Sequence, residues 1–287
     1  MLAALRLVAP GTPLREGLDR ILQARMGAMI VVGDGPEVLK LCSGGFLLDA
    51  EFTPQRLSEL AKMDGAIILS SDTSRVARVN VHLVPDPNLP TTETGTRHRT
   101  AERVARQIDV PVITVSELMS VIAIHRRGMK RSLEPIPRVL ASADRAVQIL
   151  ERYRVRLDAV SNSLSALEVE DLVTVRDVAT VLQRAEMVRR IAEEIYGYVI
   201  ELGADGRLVL LQLEEAMGGV EDDRRLVAKD YFVEGPDWEL LDVLVKLADL
   251  DTEQLVDLRE VASLLHFGRP SLRRAVTARY CGTTLQQ

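Results

Sequence analysis

Residues 1–134 alternate short apolar runs with turns and amphipathic stretches. Ala28–Val32 (AMIVV), Ala66–Ser70 (AIILS), Val76–Val84 (VARVNVHLV) and Val110–Ser116 (VPVITVS) are rich in Val and Ile and are bounded by Gly, Asp or Pro. Runs of this length and composition predict strands, because β-branched side chains suit a buried, pleated surface. Leu14–Arg25, Thr53–Lys62 and Ala101–Gln107 carry helical patterns between them. Thr53 is placed to cap the second helix, with Pro54 at the first helical position, where a missing N–H costs nothing. Ser120–Leu133 reads as a hairpin turning near Arg127-Gly128. Strands interleaved with helices predict an α/β domain with a mixed central sheet over residues 1–134.

The pattern changes after Glu134-Pro-Ile-Pro137, where two prolines mark a domain boundary. Val139, Ala143, Ala146, Leu150, Tyr153, Leu157, Val160, Leu164 and Leu167 then follow at alternating steps of four and three. That is the apolar seam of one long helix. Leu172, Val175, Leu182, Val188, Ile191 and Ile195 predict another helix, and Asp205-Gly206 a turn. Leu208–Leu213 fits strand or helix; helix is favoured because the run continues into helix formers. Asp237–Ala248 and Thr252–Leu265 complete an all-α domain over residues 138–268, followed by an irregular tail over 269–287. There is no internal repeat and no low-complexity tract.

Of the 287 residues, 47% are hydrophobic and 27% charged, as in ordinary globular proteins. No apolar run approaches the roughly 18–20 residues of a membrane span. The opening MLAALRLVAPGTPLREGLDR is too charged, and its apolar stretch too short, for a signal peptide. A cytoplasmic location is expected. Cys42 and Cys281, far apart and without a metal-ligand pattern, are expected to be reduced thiols. A net charge of −6 argues against indiscriminate coating of nucleic acid.

Two loops are polar in a way that packing does not require. In Met63-Asp64-Gly65-Ala66, an aspartate stands at the mouth of a strand, where its carboxylate can bind a divalent cation. The glycine after it lets a nucleotide approach the backbone. An Asp-Gly turn with no other role is the plainer reading of this loop alone. In Thr94-Gly95-Thr96-Arg97-His98-Arg99-Thr100, a glycine, hydroxyls, two arginines and a histidine lead into the helix expected from Ala101. Helix N-termini and arginine forks both suit phosphate. A solvated basic turn explains a single arginine, and explains less well a cluster where the helix dipole disfavours cations. His98 has no second histidine at ligand spacing, which argues against zinc. There is no Walker loop and no G-x-S-x-G elbow. Cys42-Ser-Gly-Gly-Phe46 is expected to be a turn.

With Asp64-Gly65-Ala66 and Arg97-His98-Arg99 in this order, the chain resembles the diadenylate cyclase family in its DNA-integrity scanning branch. The flanks KMDGAIILSSD, NVHLVPDPNLPTTETGTRHRTAERVA and PVITVS, and the helical ERYRVRLDAVSNSLSALEVEDLVTVRDV, match the same pattern. The resemblance covers roughly residues 1–265. It implies an ATP-binding domain in which Asp64 binds the catalytic Mg²⁺ or Mn²⁺. Gly65 and Ala66 would lie by the nucleotide, and Leu83 against the adenine. Gly95, Thr96, Arg97, His98, Arg99, Thr100 and Ser116 would handle the phosphates. It further implies that two cyclase domains face each other, each with one ATP, in an octamer supported by the helical domain. The resemblance does not extend to the family's helix-hairpin-helix DNA-binding domain, so DNA is a doubtful partner. Arg269–Arg279 is the comparable basic stretch.

The reaction implied is condensation of two ATP into the second messenger cyclic di-AMP, with release of two pyrophosphates. Such chemistry needs positioning and charge neutralisation more than a covalent nucleophile. Asp64, Arg97, His98 and Arg99 are the expected catalytic residues. Two alternatives are a non-catalytic sensor of ATP or cyclic di-AMP, and a DNA-binding scaffold with a vestigial cyclase domain.

Overall fold

The computed structural model describes residues 1–231 and 237–264. The chain forms two compact units, one of Met1–Ala141 with Gly197–Arg207, the other of Ser142–Tyr196 with the chain from Leu208 onward. A single break at the prolines does not anticipate that residues 197–207 join the first unit.

In the first unit, α1 (Leu2–Leu7), α2 (Pro13–Gln23), β1 (Ala28–Val32), α3 (Pro36–Lys40), β2 (Cys42–Ser43), β3 (Phe46–Glu51), α4 (Pro54–Leu60), β4 (Ala66–Leu69), β5 (Arg75–Leu83), α5 (Thr96–Gln107), β6 (Val112–Ser116), β7 (Val121–Arg126) and β8 (Met129–Ser132) follow in order. α2 and α4 start alike. Thr12 and Thr53 accept hydrogen bonds from the N–H groups of Arg15 and Arg56, and a proline follows each threonine.

The eight strands make one mixed sheet in the order β2-β5-β4-β1-β6-β7-β8, with β3 also paired to β5. β1 and β4 run parallel; the other pairs are antiparallel. β1 is buried on both faces, and its residues alternate between two cores. Ile30 and Val32 join Leu14, Leu18, Ile21 and Leu57 on one side, together with Ile200. Met29 and Val31 join Ala101, Val104 and Ala105 of α5 on the other. The result is a sheet sandwiched between helices.

Three elements depart from expectation. β2 and β3 occupy the segment expected to be a turn, with Cys42-Ser43 on one side of the glycines and Phe46 on the other. β3 carries no alternation to read, because all but one of its residues are exposed. α5 begins at Thr96, five residues earlier than Ala101, because the basic motif lacks the apolar periodicity that marks a helix.

The helical chain comprises α6 (Ile136–Glu170), α7 (Val175–Leu202), α8 (Arg207–Met217), α9 (Val220–Tyr231), α10 (Asp237–Asp249), α11 (Thr252–Val256) and α12 (Leu258–Leu264). The sequence Leu208–Leu213 is helical, as expected. The expected helix Thr252–Leu265 is split, because Asp257 is extended (φ −79°, ψ 108°). The seam of α6 is deepest at every seventh residue: Ala143, Leu150, Leu157 and Leu164 are buried. Ala146, Tyr153, Val160 and Leu167 are half-buried. Glu186 of α7 is fully buried and paired with Arg189, Arg190 and Arg224. Leu265, the tail over 269–287, the arginines of 269–279 and Cys281 lie outside the described residues. No described helix is long and apolar enough to cross a membrane.

Candidate functional site

Sheet register gathers the residues singled out above at one end of the sheet. Met29 of β1 stands beside Ala66 of β4, so the segments entering both strands, Gly27 and Asp64-Gly65, share that end. Ala66 also pairs with Val81, which brings the end of β5 and Leu83 alongside. Ala28 pairs with Val115, which brings Ser116 at the end of β6 to the same end.

Asp64 is exposed at the strand mouth, without a hydrogen bond or ion pair to the described residues. Gly65 has a structural reason to be glycine. Its φ is +99°, and a Cβ there would meet the backbone of β5 at 2.9 Å, at Asn80 C and Val81 O. Ala66 and Leu83 are both buried, as strand residues of the α5-side core. Ser116 is 8% exposed and its Oγ accepts the Met119 N–H at 3.3 Å, which leaves the hydroxyl proton to donate.

α5 starts without a side-chain cap at Gly95, and its first turn contains no acidic residue. The first N–H with a partner inside the helix is that of Arg99, to Gly95 O at 2.8 Å. Its positive end is therefore open to an anion. At 100° per residue the motif side chains diverge. Arg97 lies against Gly27, where an added Cβ would be 2.0 Å from its Nη1. His98 turns towards His125 of β7, with ring centroids 6.5 Å apart. Arg99 is exposed. Neither arginine side chain has an acceptor among the described residues. Thr94, Gly95 and Thr96 are exposed and Thr100 is half-buried.

Beneath α5 lies a polar group that sequence reasoning missed. His125 is 1% exposed and its Nε2 meets Thr114 Oγ1 at 3.2 Å. Nδ1 of both His98 and His125 is buried and unpartnered. Burial pushes both imidazoles down, His125 to about 4; the Glu93 charge opposes this and that of Lys130 adds to it. Both rings are therefore neutral near pH 7. The strand period alone signals an inward His125, because it falls two residues after Ala123.

The segment entering α5 is tied to it by Glu102. This buried carboxylate accepts from Thr91 Oγ1 (2.6 Å), Thr92 N–H (3.0 Å) and Arg106 (2.8 Å). Burial pushes its pKa up, but those donors together hold it at about 2. Glu93 is paired in turn with Lys130 at 2.6 Å. A cavity at the far end of α5, lined by Leu89, Arg106, Asp109 and Arg127 among others, includes none of the residues singled out.

Asp64 offers one carboxylate, and no group of three or more His, Cys, Asp or Glu among the described residues could hold an ion. That donor set fits a hard cation shared with phosphate oxygens and water, as magnesium is usually bound, rather than a protein-enclosed metal.

Family comparison gives two contiguous matches. Residues 15–130 match the nucleotide-binding region of the DisA bacterial checkpoint controller, and residues 133–272 match its linker region. The DNA integrity scanning protein DisA of Frankia alni is 54% identical over 96% of this chain and 78% of its own length. Its namesake in Kineococcus radiotolerans is 55% identical over 95% of this chain and 77% of its own length. A solved structure of DacA from Staphylococcus aureus aligns with 42% of this chain and 83% of its own at 22% identity, with a TM-score of 0.35. The chain thus belongs to the DisA family; the match to its nucleotide-binding region covers most of the sheet unit, and the match to its linker region covers the described helical unit together with residues 197–207.

Proposed function

We propose that this chain is a diadenylate cyclase that condenses two ATP into cyclic di-AMP and two pyrophosphates. One observation carries the reading. Among the described residues, Asp64, Arg97, Arg99 and the open start of α5 are all without protein partners, in a unit that matches the family's nucleotide-binding region. An acid for a cation and bases for phosphate, both left unsatisfied, fit a metal-bound triphosphate.

The 3′-hydroxyl of one ATP attacks the α-phosphorus of the other and pyrophosphate leaves; the reciprocal attack closes the ring. Asp64 holds Mg²⁺ or Mn²⁺, which offsets the charge of the triphosphate. Arg97 and Arg99 donate to phosphate oxygens, and the N–H groups of Thr96, Arg97 and His98 add the helix terminus. Neutral His98 orients a phosphate and carries no countercharge. Ser116 donates its hydroxyl proton to a phosphate, and Leu83 lies under the adenine. Two ATP require two sheet units face to face, so the active form is an oligomer, visible in light scattering. The test is mass spectrometry of products from ATP and Mn²⁺. Cyclic di-AMP and pyrophosphate are expected; ATP bound but unchanged would favour a sensor instead.

A further inference from the structure

Just before β1 stands a residue that neither the motifs nor the proposed reaction assigns. Gly27 does not have a φ in the left-handed region, so its backbone does not demand glycine. What fills the space of a side chain there is the guanidinium of Arg97. A Cβ on Gly27 would lie 2.0 Å from Nη1 and 3.1 Å from Cζ of Arg97, while the nearest other atom, Val115 O, would be at 3.5 Å. The first distance is impossible, the second tight, and the third an ordinary contact.

Other arginines of this unit are fixed by carboxylates, Arg106 by Glu102 and Arg126 and Arg127 by Asp109. A carboxylate orients an arginine but takes up donors of its fork. Arg97 has no such partner among the described residues, yet it is half-buried. Its place at the sheet end is set by shape, and all five N–H donors stay available to a ligand.

We infer that Gly27 is a positioning residue: its bare Cα is the seat that holds the Arg97 guanidinium at the sheet end, aimed at the bound triphosphate. The inference rests on the cyclase reading for its ligand, though not for the seat itself. A fork held in place before binding loses less freedom on meeting phosphate, which is where preorganised donors gain their effect. The clash falls on the free end of a flexible side chain, so a methyl at position 27 should move Arg97 without disturbing the fold.

The experiment uses the full chain and four proteins: wild type, Gly27→Ala, Arg97→Ala and the double variant. Gly27→Ala is expected to keep the wild-type urea midpoint and to lose at least tenfold in kcat/KM. In calorimetry its affinity for ATP with Mg²⁺ should also fall. In the Arg97→Ala background the same methyl should change ATP affinity by less than twofold, because its target is gone. Affinity unchanged by Gly27→Ala, an equal loss with and without Arg97, or a lowered urea midpoint would each overturn the assignment. If the wild type makes no cyclic di-AMP, the cyclase reading fails by itself, and a crystal structure of Gly27→Ala judges the seat. A displaced Arg97 guanidinium is expected there, and an unmoved one overturns the inference.

Discussion

Charged side chains are handled in opposite ways in the helical unit and at the motif-bearing end of the sheet. In the helical unit, burial pushes the Glu186 carboxyl up, but hydrogen bonds from Arg189 and Arg190 and the Arg224 charge hold it below its ordinary range. Arg190 reaches on to the carbonyls of Leu247, Ala248 and Leu250 at the end of α10, and Arg224 to that of Leu244. At the sheet end, by contrast, Asp64, Arg97 and Arg99 touch no opposite charge among the described residues. Charges satisfied internally organise the helices around them. Charges left unsatisfied contribute little to folding, and under the proposed function a ligand supplies the missing partner.

The comparison is tested most sharply by removing one charge from each place. Asp64→Asn should abolish cyclic di-AMP synthesis, read by mass spectrometry. Its unfolding free energy should stay within about 0.5 kcal/mol of wild type, as for exposed substitutions. Synthesis near the wild-type rate would end the metal assignment. Glu186→Ala should do the reverse and cost about 3–5 kcal/mol in urea unfolding, because it removes the buried carboxylate that three arginines share, Arg224 among them almost fully buried. A cost below about 1 kcal/mol would show that this cluster is no hub. Replacing Arg97 and Arg99 together by Ala removes two charge-assisted contacts of about 1.5–3 kcal/mol each. Turnover should fall at least about a hundredfold at unchanged stability; a mere halving would make them a solvated turn.

The smallest effect concerns the histidines beneath α5. His125 falls from 6.5 in model peptides to about 4 in the fold, so the unfolded chain binds more protons between those values. Stability from this group is complete above pH 6.5 and is lost as pH drops towards 4, by at most about 1.4 kcal/mol per pH unit. His125→Asn should flatten the stability profile in that window and leave it unchanged above pH 7. A profile equally steep without His125 would assign the slope to other groups.

Much of this architecture was legible in the pattern of the chain. The strands at residues 28, 66, 76 and 112 and the long α6 follow from apolar runs and a heptad seam. Tertiary contacts set what was not. β3 exposes Phe46 and Leu47, so no alternation announces it. α5 starts inside a run of polar residues that lacks the apolar periodicity marking a helix. The candidate site was read as two motifs; that they share one end is set by the pairing of Met29 with Ala66 and by Arg97 lying against Gly27. The role of Gly27 was invisible, because it acts through a missing side chain; the strand period could place His125 inward, but its neighbours Thr114 and His98 are met across the fold.

The last turns of α7 bear on how the molecule is made. Ile200 sits in the core of the sheet unit, Glu201 pairs with Arg131 at 2.8 Å, and Ala204 N–H bonds to Pro10 O at 3.0 Å. The amino-terminal end of the sheet unit is therefore clasped by residues translated almost two hundred positions later. During synthesis the strands can pair early, but the unit closes only after residue 207 has left the ribosome. An amino-terminal fragment ending at the two prolines would leave Ile200's place in the core open and Arg131 without its carboxylate. Adding residues 197–207 in trans as a peptide is the economical way to restore it.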